Sequence, residues 1–302
     1  MSLLSHYTTR AGLEGIAKTR TFWATNFLEV NDTSEFFYGW QQLYQAAIEK
    51  VMGLIPNEKK LPGHNIETTC ENVTNQFRQF FQSTDNGYGH LYVTSFARGK
   101  TEDHDKRGIR TLWELYNGHK GYCLQFDQND VQRMLDLDSW KSNYESLGMA
   151  EVKYGVDRKG HDFGVLCYQL TQQLLLQIIR TRNDIRVEPQ WDRMWADSAV
   201  YRKLMEFCAT HKDPCYEDER ELRIFAYPSI ASEARVFTGI ASKKQIRTSP
   251  SGKQYIAFGE HWKPGIAPKR VIIGTKADGD IDSILANYSP VPQKAFANMP
   301  IA

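Results

Sequence analysis

Residues able to do chemistry cluster near predicted strand ends. Glu219, Glu221 and Arg223 sit at alternate positions ahead of Ile224. On a strand, alternate residues project to one face. Two carboxylates beside a guanidinium can stabilise a developing cation and accept a hydroxyl hydrogen bond. A solvated edge strand, with acids neutralising arginines, accounts for the same residues. His6, Tyr7 and Thr8 close the first apolar segment, where a neutral imidazole beside a turn can meet a ligand hydroxyl. A histidine satisfied by backbone is the simpler alternative. Trp113 and Tyr116 stand three apart on one predicted helical face and could wall a flat ring or simply fill a core. Asn31, Asp32 and Glu35 read as a helix start, with acids favoured by the helix dipole. Ser95 ends a strand ahead of the charged stretch 98–110, which reads as a mobile loop or a lid.

Familiar catalytic motifs are absent. The sequence holds no phosphate-binding Gly-rich loop, no Gly-x-Ser-x-Gly and no His-Glu-x-x-His. Its eight histidines are scattered, and none of the five cysteines forms a Cys-x-x-Cys pair. No metal is expected, although Asp32, Glu35, Glu219 and Glu221 could converge on a divalent cation in a nuclease-like alternative.

The elements that must position these groups follow from the hydrophobic pattern. Strands are expected over 3–8, 21–24, 90–96, 122–126, 151–154, 222–227, 235–237, 254–258 and 270–273. Thr9 can cap a helix over 11–18. Longer helices are expected over 35–54, 66–81, 164–182 and 191–211, with shorter ones over 111–116 and 281–287. Strands and helices are segregated rather than alternating, so the expected fold is α+β: one domain over 1–302, with a mixed or antiparallel sheet and helical insertions at about 34–81 and 163–211.

Composition sets the outer limits. The chain has 302 residues, 41% hydrophobic and 24% charged, a balance that supports a packed core. Lys plus Arg is 37 and Asp plus Glu is 36, giving a net charge of +1, without the basic excess of a non-specific nucleic-acid binder. The apolar run 165–179 is broken by four glutamines, too short and polar for a membrane span of about 20 residues. No secretory signal is visible at Met1–His6, and the odd cysteine count fits reduced thiols, so a cytoplasmic location is expected.

Taken in order, these segments resemble a bacterial family, domain-of-unknown-function family 2971. The resemblance rests on His6-Tyr7-Thr8, Leu13 to Ile16, Asn31-Asp32 with Glu35, Ser95-Phe96 and Leu112-Trp113 through Tyr116 to Gly121. It continues with Phe126-Asp127, Val152 to Tyr154, Lys212, Glu219-x-Glu221-x-Arg223 and Val271 to Gly274. The opening His-Tyr-Thr and the late Glu also look like ADP-ribosyltransferases of the His-Tyr-Glu kind. That likeness implies an ADP-ribosyltransferase-like sheet and NAD as substrate, without metal. It implies His6, with Tyr7 and Thr8, at a ribose, and Trp113 or Tyr116 on nicotinamide. Arg98, Arg110 or Arg223 would clamp the pyrophosphate, with Arg223 among the NAD-binding residues, and Glu221 or Glu219 would be catalytic. Asn31, Asp32, Glu35 and Ser95 are candidate substrate contacts. The implied roles are a toxin or antiphage effector acting on a protein or nucleic-acid acceptor, with an antitoxin or defence partner. An NAD glycohydrolase and a non-catalytic ligand- or partner-binding module are the alternatives.

Overall fold

The structure, a computed structural model, describes residues 2–30, 34–54, 68, 71, 75, 90–115, 117–182, 199–229 and 242–298. The expected strand at 235–237 and most of the expected helix at 66–81 lie outside them. Strands run in chain order β1 Leu3–Thr8, β2 Phe22–Asn26, β3 Tyr92–Ala97, β4 Tyr122–Asp127, β5 Ser142–Glu151, β6 Lys153–Tyr154 and β7 His211–Lys212. They continue as β8 Glu221–Pro228, β9 Ser242–Lys243, β10 Arg247–Thr248, β11 Gln254–Phe258, β12 Arg270–Ile273 and β13 Gln293–Phe296. The fold is α+β with a mixed sheet. The chain divides into two compact units.

The first unit comprises residues 1–29, 90–152 and 215–302. Its sheet runs β10-β11-β2-β3-β1-β4-β12-β13, with β8 and β5 added beyond β3. Most pairs are antiparallel; β12–β13 and β5–β9 are parallel. Strand alternation gives this sheet two apolar faces. Leu4, Phe22, Phe96, Leu124, Phe126 and Ile224 belong to the larger core. Tyr7, Ala97, Leu112, Trp113, Cys123 and Ile272 form a smaller core on the other face. The helix Arg10–Thr19 starts where expected: the Thr9 hydroxyl accepts from the Gly12 N–H, and Leu13, Ile16 and Ala17 are buried. The helix Gln128–Lys141 and the long strand β5 were not expected. Asp127 caps that helix through the Asn129 N–H, and only four of its fourteen residues are buried, which leaves a weak hydrophobic period.

The charged stretch 98–110 is not a loose loop. Thr101 caps a helix over Glu102–Arg107 by accepting from the His104 N–H. Lys106 pairs with Glu102, and Arg107 with Asp103, one turn apart. The buried Gln125 side chain donates to the Asp105 carbonyl at 2.7 Å, tying the helix to β4. High charge looked like solvation in the sequence; here it serves i,i+4 pairing on an exposed helix.

The second unit comprises residues 30–89 and 153–214. Helices Ser34–Leu54, His161–Arg182 and Ala199–Thr210 build it, with β6 and β7 pairing in parallel. Trp40, Leu43, Val51, Leu170, Leu174 and Leu204 are among its buried residues. A Cβ on Gly39 would come 3.1 Å from the Cys208 backbone, so the first and third helices cross closely there. No disulfide joins the described cysteines. No helix among the described residues is long and apolar enough to cross a membrane.

Candidate functional site

The site grows from a split along β3. One edge of β3 pairs with β8 over its whole length, from Tyr92↔Ala226 to Ala97↔Glu221. The other edge is shared: β2 takes Tyr92 and Val93, and β1 takes Ala97. Between these pairings the Ser95 carbonyl accepts a hydrogen bond from the His6 side chain, Nδ1 to O 3.0 Å. A carbonyl has no proton to give, so Nδ1 carries the proton. Burial holds the His6 pKa below its ordinary value, outweighing the Ser95 bond. The ring is therefore neutral near pH 7, with an acceptor lone pair on Nε2. Phe22 and Phe96 flank it, their ring centres 6.0 and 5.5 Å away.

On the other face, Ser5, Tyr7, Ser95, Leu112, Glu219 and Glu221 line a small cavity of about 20 Å³. That volume holds roughly one water molecule. Glu221 is gripped by Arg223: Nε lies 2.7 Å from Oε1 and Nη2 2.8 Å from Oε2. Both side chains are buried, and the guanidinium lies 5.5 Å from the centre of the Phe27 ring. The Tyr7 hydroxyl accepts from the Ile109 N–H at 2.6 Å. Cys123, beside Tyr7 on β4, has its thiol pKa pushed up to about 12 by burial, so it stays protonated. Gly108, at φ 83°, closes the back of this face: a Cβ there would meet the Trp113 indole nitrogen at 2.6 Å and the Tyr7 hydroxyl at 2.8 Å.

Tyr7, Ser95, Glu219 and Glu221 thus share one cavity, with Arg223 holding Glu221. His6 does not join them. It pairs across β1–β4 with Leu124 and faces the larger core, whereas Tyr7 pairs with Cys123 and faces the smaller one. His6 and Glu221 therefore project from opposite faces of the sheet, because the strand period of two separates His6 from Tyr7. Thr8 follows His6 onto the larger-core side and packs against Gly12, where a Cβ would stand 1.9 Å from its hydroxyl oxygen. Trp113 is fully buried, edge-on to Tyr7 at 5.1 Å, with its indole N–H donated to the Arg107 carbonyl at 2.8 Å. It packs the smaller core and presents no open ring. Glu219 ends a 3-10 turn, and Arg220 follows at φ 49°, so the strand alternation begins only at Glu221. Tyr116, Asn31 and Asp32 lie outside the described residues, as does the Glu35 side chain.

Sequence reasoning missed Ser5 and Gln125. Ser5 shares the alternation of Tyr7 and lines the cavity. Gln125 sits opposite Ser5 on β4, fully buried, with no hydrogen-bond partner for its Oε1. A polar residue inside the apolar run 122–126 was the available signal. Among the described residues, no group of three or more His, Cys, Asp or Glu side chains could hold a metal ion.

No curated protein and no solved structure matches the chain. Residues 112–224 match the model of the family described as "Protein of unknown function (DUF2971)". That stretch starts at Leu112 in the cavity wall, passes through Trp113 and Gln125, and ends just beyond the Glu221–Arg223 pair; His6, Tyr7 and Thr8 precede it. Over residues 112–224 the chain is similar to the DUF2971 family.

Proposed function

We propose that the protein is an NAD-dependent ADP-ribosyltransferase. The observation that carries this reading is the pair Glu219 and Glu221 on one cavity with Tyr7 and Ser95, beside the split in β3. In the proposed reaction the bond between nicotinamide and ribose breaks, and nicotinamide leaves with the bonding electrons. The cationic ribosyl carbon then bonds to an acceptor nucleophile, which gives up its proton. A carboxylate fixed by a guanidinium is preorganised against that developing positive charge. His6, held by Ser95 on the opposite face of the sheet, does not reach a ribose bound beside Glu219 and Glu221. NAD is the substrate, and a protein or nucleic acid is the acceptor. A toxin or antiphage role with an antitoxin or defence partner, in the cytoplasm, completes the proposal.

A second reading, a non-catalytic ligand- or partner-binding module, is favoured by two specific facts. Arg223 occupies both Glu221 oxygens, and His6 faces away from them. Incubation with NAD labelled in the adenylate separates the readings. Nicotinamide release with label on a macromolecule supports the transferase. Release without transfer identifies a glycohydrolase. NAD binding without release supports the module, and absence of both binding and release overturns every NAD reading.

A further inference from the structure

A larger cavity of about 320 Å³ opens in the first unit away from Glu221. Its size falls within the range of roughly 300–1,000 Å³ typical of small-molecule sites. Phe126, Val131 and Ile266 of the larger core form its inner wall, and Trp262 adds an indole. Pro264, Pro268, Pro290 and Pro292 line it too. Their fixed φ makes those walls largely preformed.

The polar lining is unbalanced. Arg20 and Lys269 are cations and Asp130 is the carboxylate. Asp130 is already engaged by Lys269 at 3.2 Å, with Arg133 at 3.9 Å. Arg20 meets main-chain carbonyls: Nε donates to Ile266 at 2.7 Å, Nη1 to Asn287 at 3.1 Å and Nη2 to Pro264 at 3.1 Å. Its guanidinium also sits 4.5 Å from the centre of the Tyr288 ring. Carbonyls fix the position of the guanidinium without cancelling its charge. A guanidinium has five N–H donors, so about two are left beyond these three bonds to meet an anion. Gly265, at φ 68°, makes this arrangement fit: a Cβ there would stand 2.8 Å from the Arg20 Cβ.

We propose that this cavity binds a small aromatic carboxylate, its ring between Trp262 and the apolar wall and its charge on Arg20. The inference is independent of any NAD chemistry. The test is calorimetric titration of the full chain with 2-naphthoate, set against 2-naphthylmethylamine and the neutral 2-naphthylmethanol. Binding of the carboxylate, at least about tenfold tighter than either analogue, is expected for a site with a net positive lining. Ala267→Trp fills the cavity and is expected to abolish binding. If that variant fails to fold, Lys269→Glu at the exposed rim decides, because reversing that charge is expected to weaken 2-naphthoate by roughly tenfold or more. Failure of 2-naphthoate to bind, equal binding of the three probes, or a Lys269→Glu variant with unchanged affinity overturns the proposal.

Discussion

Arg223 meets Glu221 through two parallel hydrogen bonds of 2.7 and 2.8 Å, and the two side chains are only 3% and 8% exposed. A fork-on-fork pair fixes the carboxylate more firmly than a single contact. The same pairing couples any chemistry at Glu221 to stability.

Glu221→Gln is accordingly expected to lose nicotinamide release by roughly a hundred- to a thousand-fold, as for loss of one preorganised electrostatic partner. It is also expected to destabilise the fold by about 3–5 kcal/mol, because one partner of a buried ion pair is removed. Urea denaturation beside the release assay reads both effects. Adding Arg223→Met should restore much of the stability while activity stays lost. A Glu221→Gln protein as stable as wild type would show that the pair contributes little to folding.

Tyr7→Phe tests the packing behind the cavity. The Tyr7 hydroxyl takes the Ile109 N–H at 2.6 Å, next to the close approach of Gly108. Removing the acceptor strands a buried donor, which costs about 1–3 kcal/mol. A lower urea midpoint is expected, with faster amide exchange at Ile109. Unchanged exchange there would mean that another acceptor replaces the hydroxyl.

The sheet was legible in the sequence wherever one strand face met a core. β1, β11 and β12 have the expected bounds, since apolar residues alternate or run unbroken there. The side of the sheet that each candidate faces was not legible. His6 and Tyr7 are adjacent, so a motif that names both must divide them between two faces. Ser95 belonged with the site for a reason invisible in one dimension: its carbonyl lies where β2 and β1 leave the edge of β3 open. Trp113 and the exposed helix Glu102–Arg107 show the converse limit. An aromatic wall and a buried packing residue look alike in sequence, as do a charged loop and a salt-bridged helix.

Acid is expected to weaken the fold through buried imidazoles. Burial lowers the pKa of His6, and of His90 and His211 as well. Each native state therefore binds fewer protons than the unfolded chain just below the ordinary value of about 6.5. The stabilisation is fully present above that pH and is lost as pH falls from it toward the lowered native pKa. Urea midpoints at pH 7.5 and 5.5 should differ, and His6→Phe should reduce the difference. A His6 carbon or nitrogen resonance titrating near 6.5 in the native protein would contradict the burial argument.

Glu219→Gln separates the two carboxylates. Glu219 lines the same cavity as Glu221 but belongs to the 3-10 turn before β8, and Arg220 turns the backbone between them. Glu221 is the one whose two oxygens are both held by Arg223, which fixes its position beside the cavity. Glu219 is then the group placed to take the proton of an incoming nucleophile. General-base assistance of that kind contributes typically about a hundred- to ten-thousand-fold. Glu219→Gln is expected to cut label transfer by roughly a hundred-fold. Nicotinamide release into water should fall by less than about tenfold, because a departing nicotinamide needs charge stabilisation more than proton removal. Both quantities come from one incubation with labelled NAD. Equal losses in release and transfer would place Glu219 at the same step as Glu221, and a larger loss of release would exchange their roles.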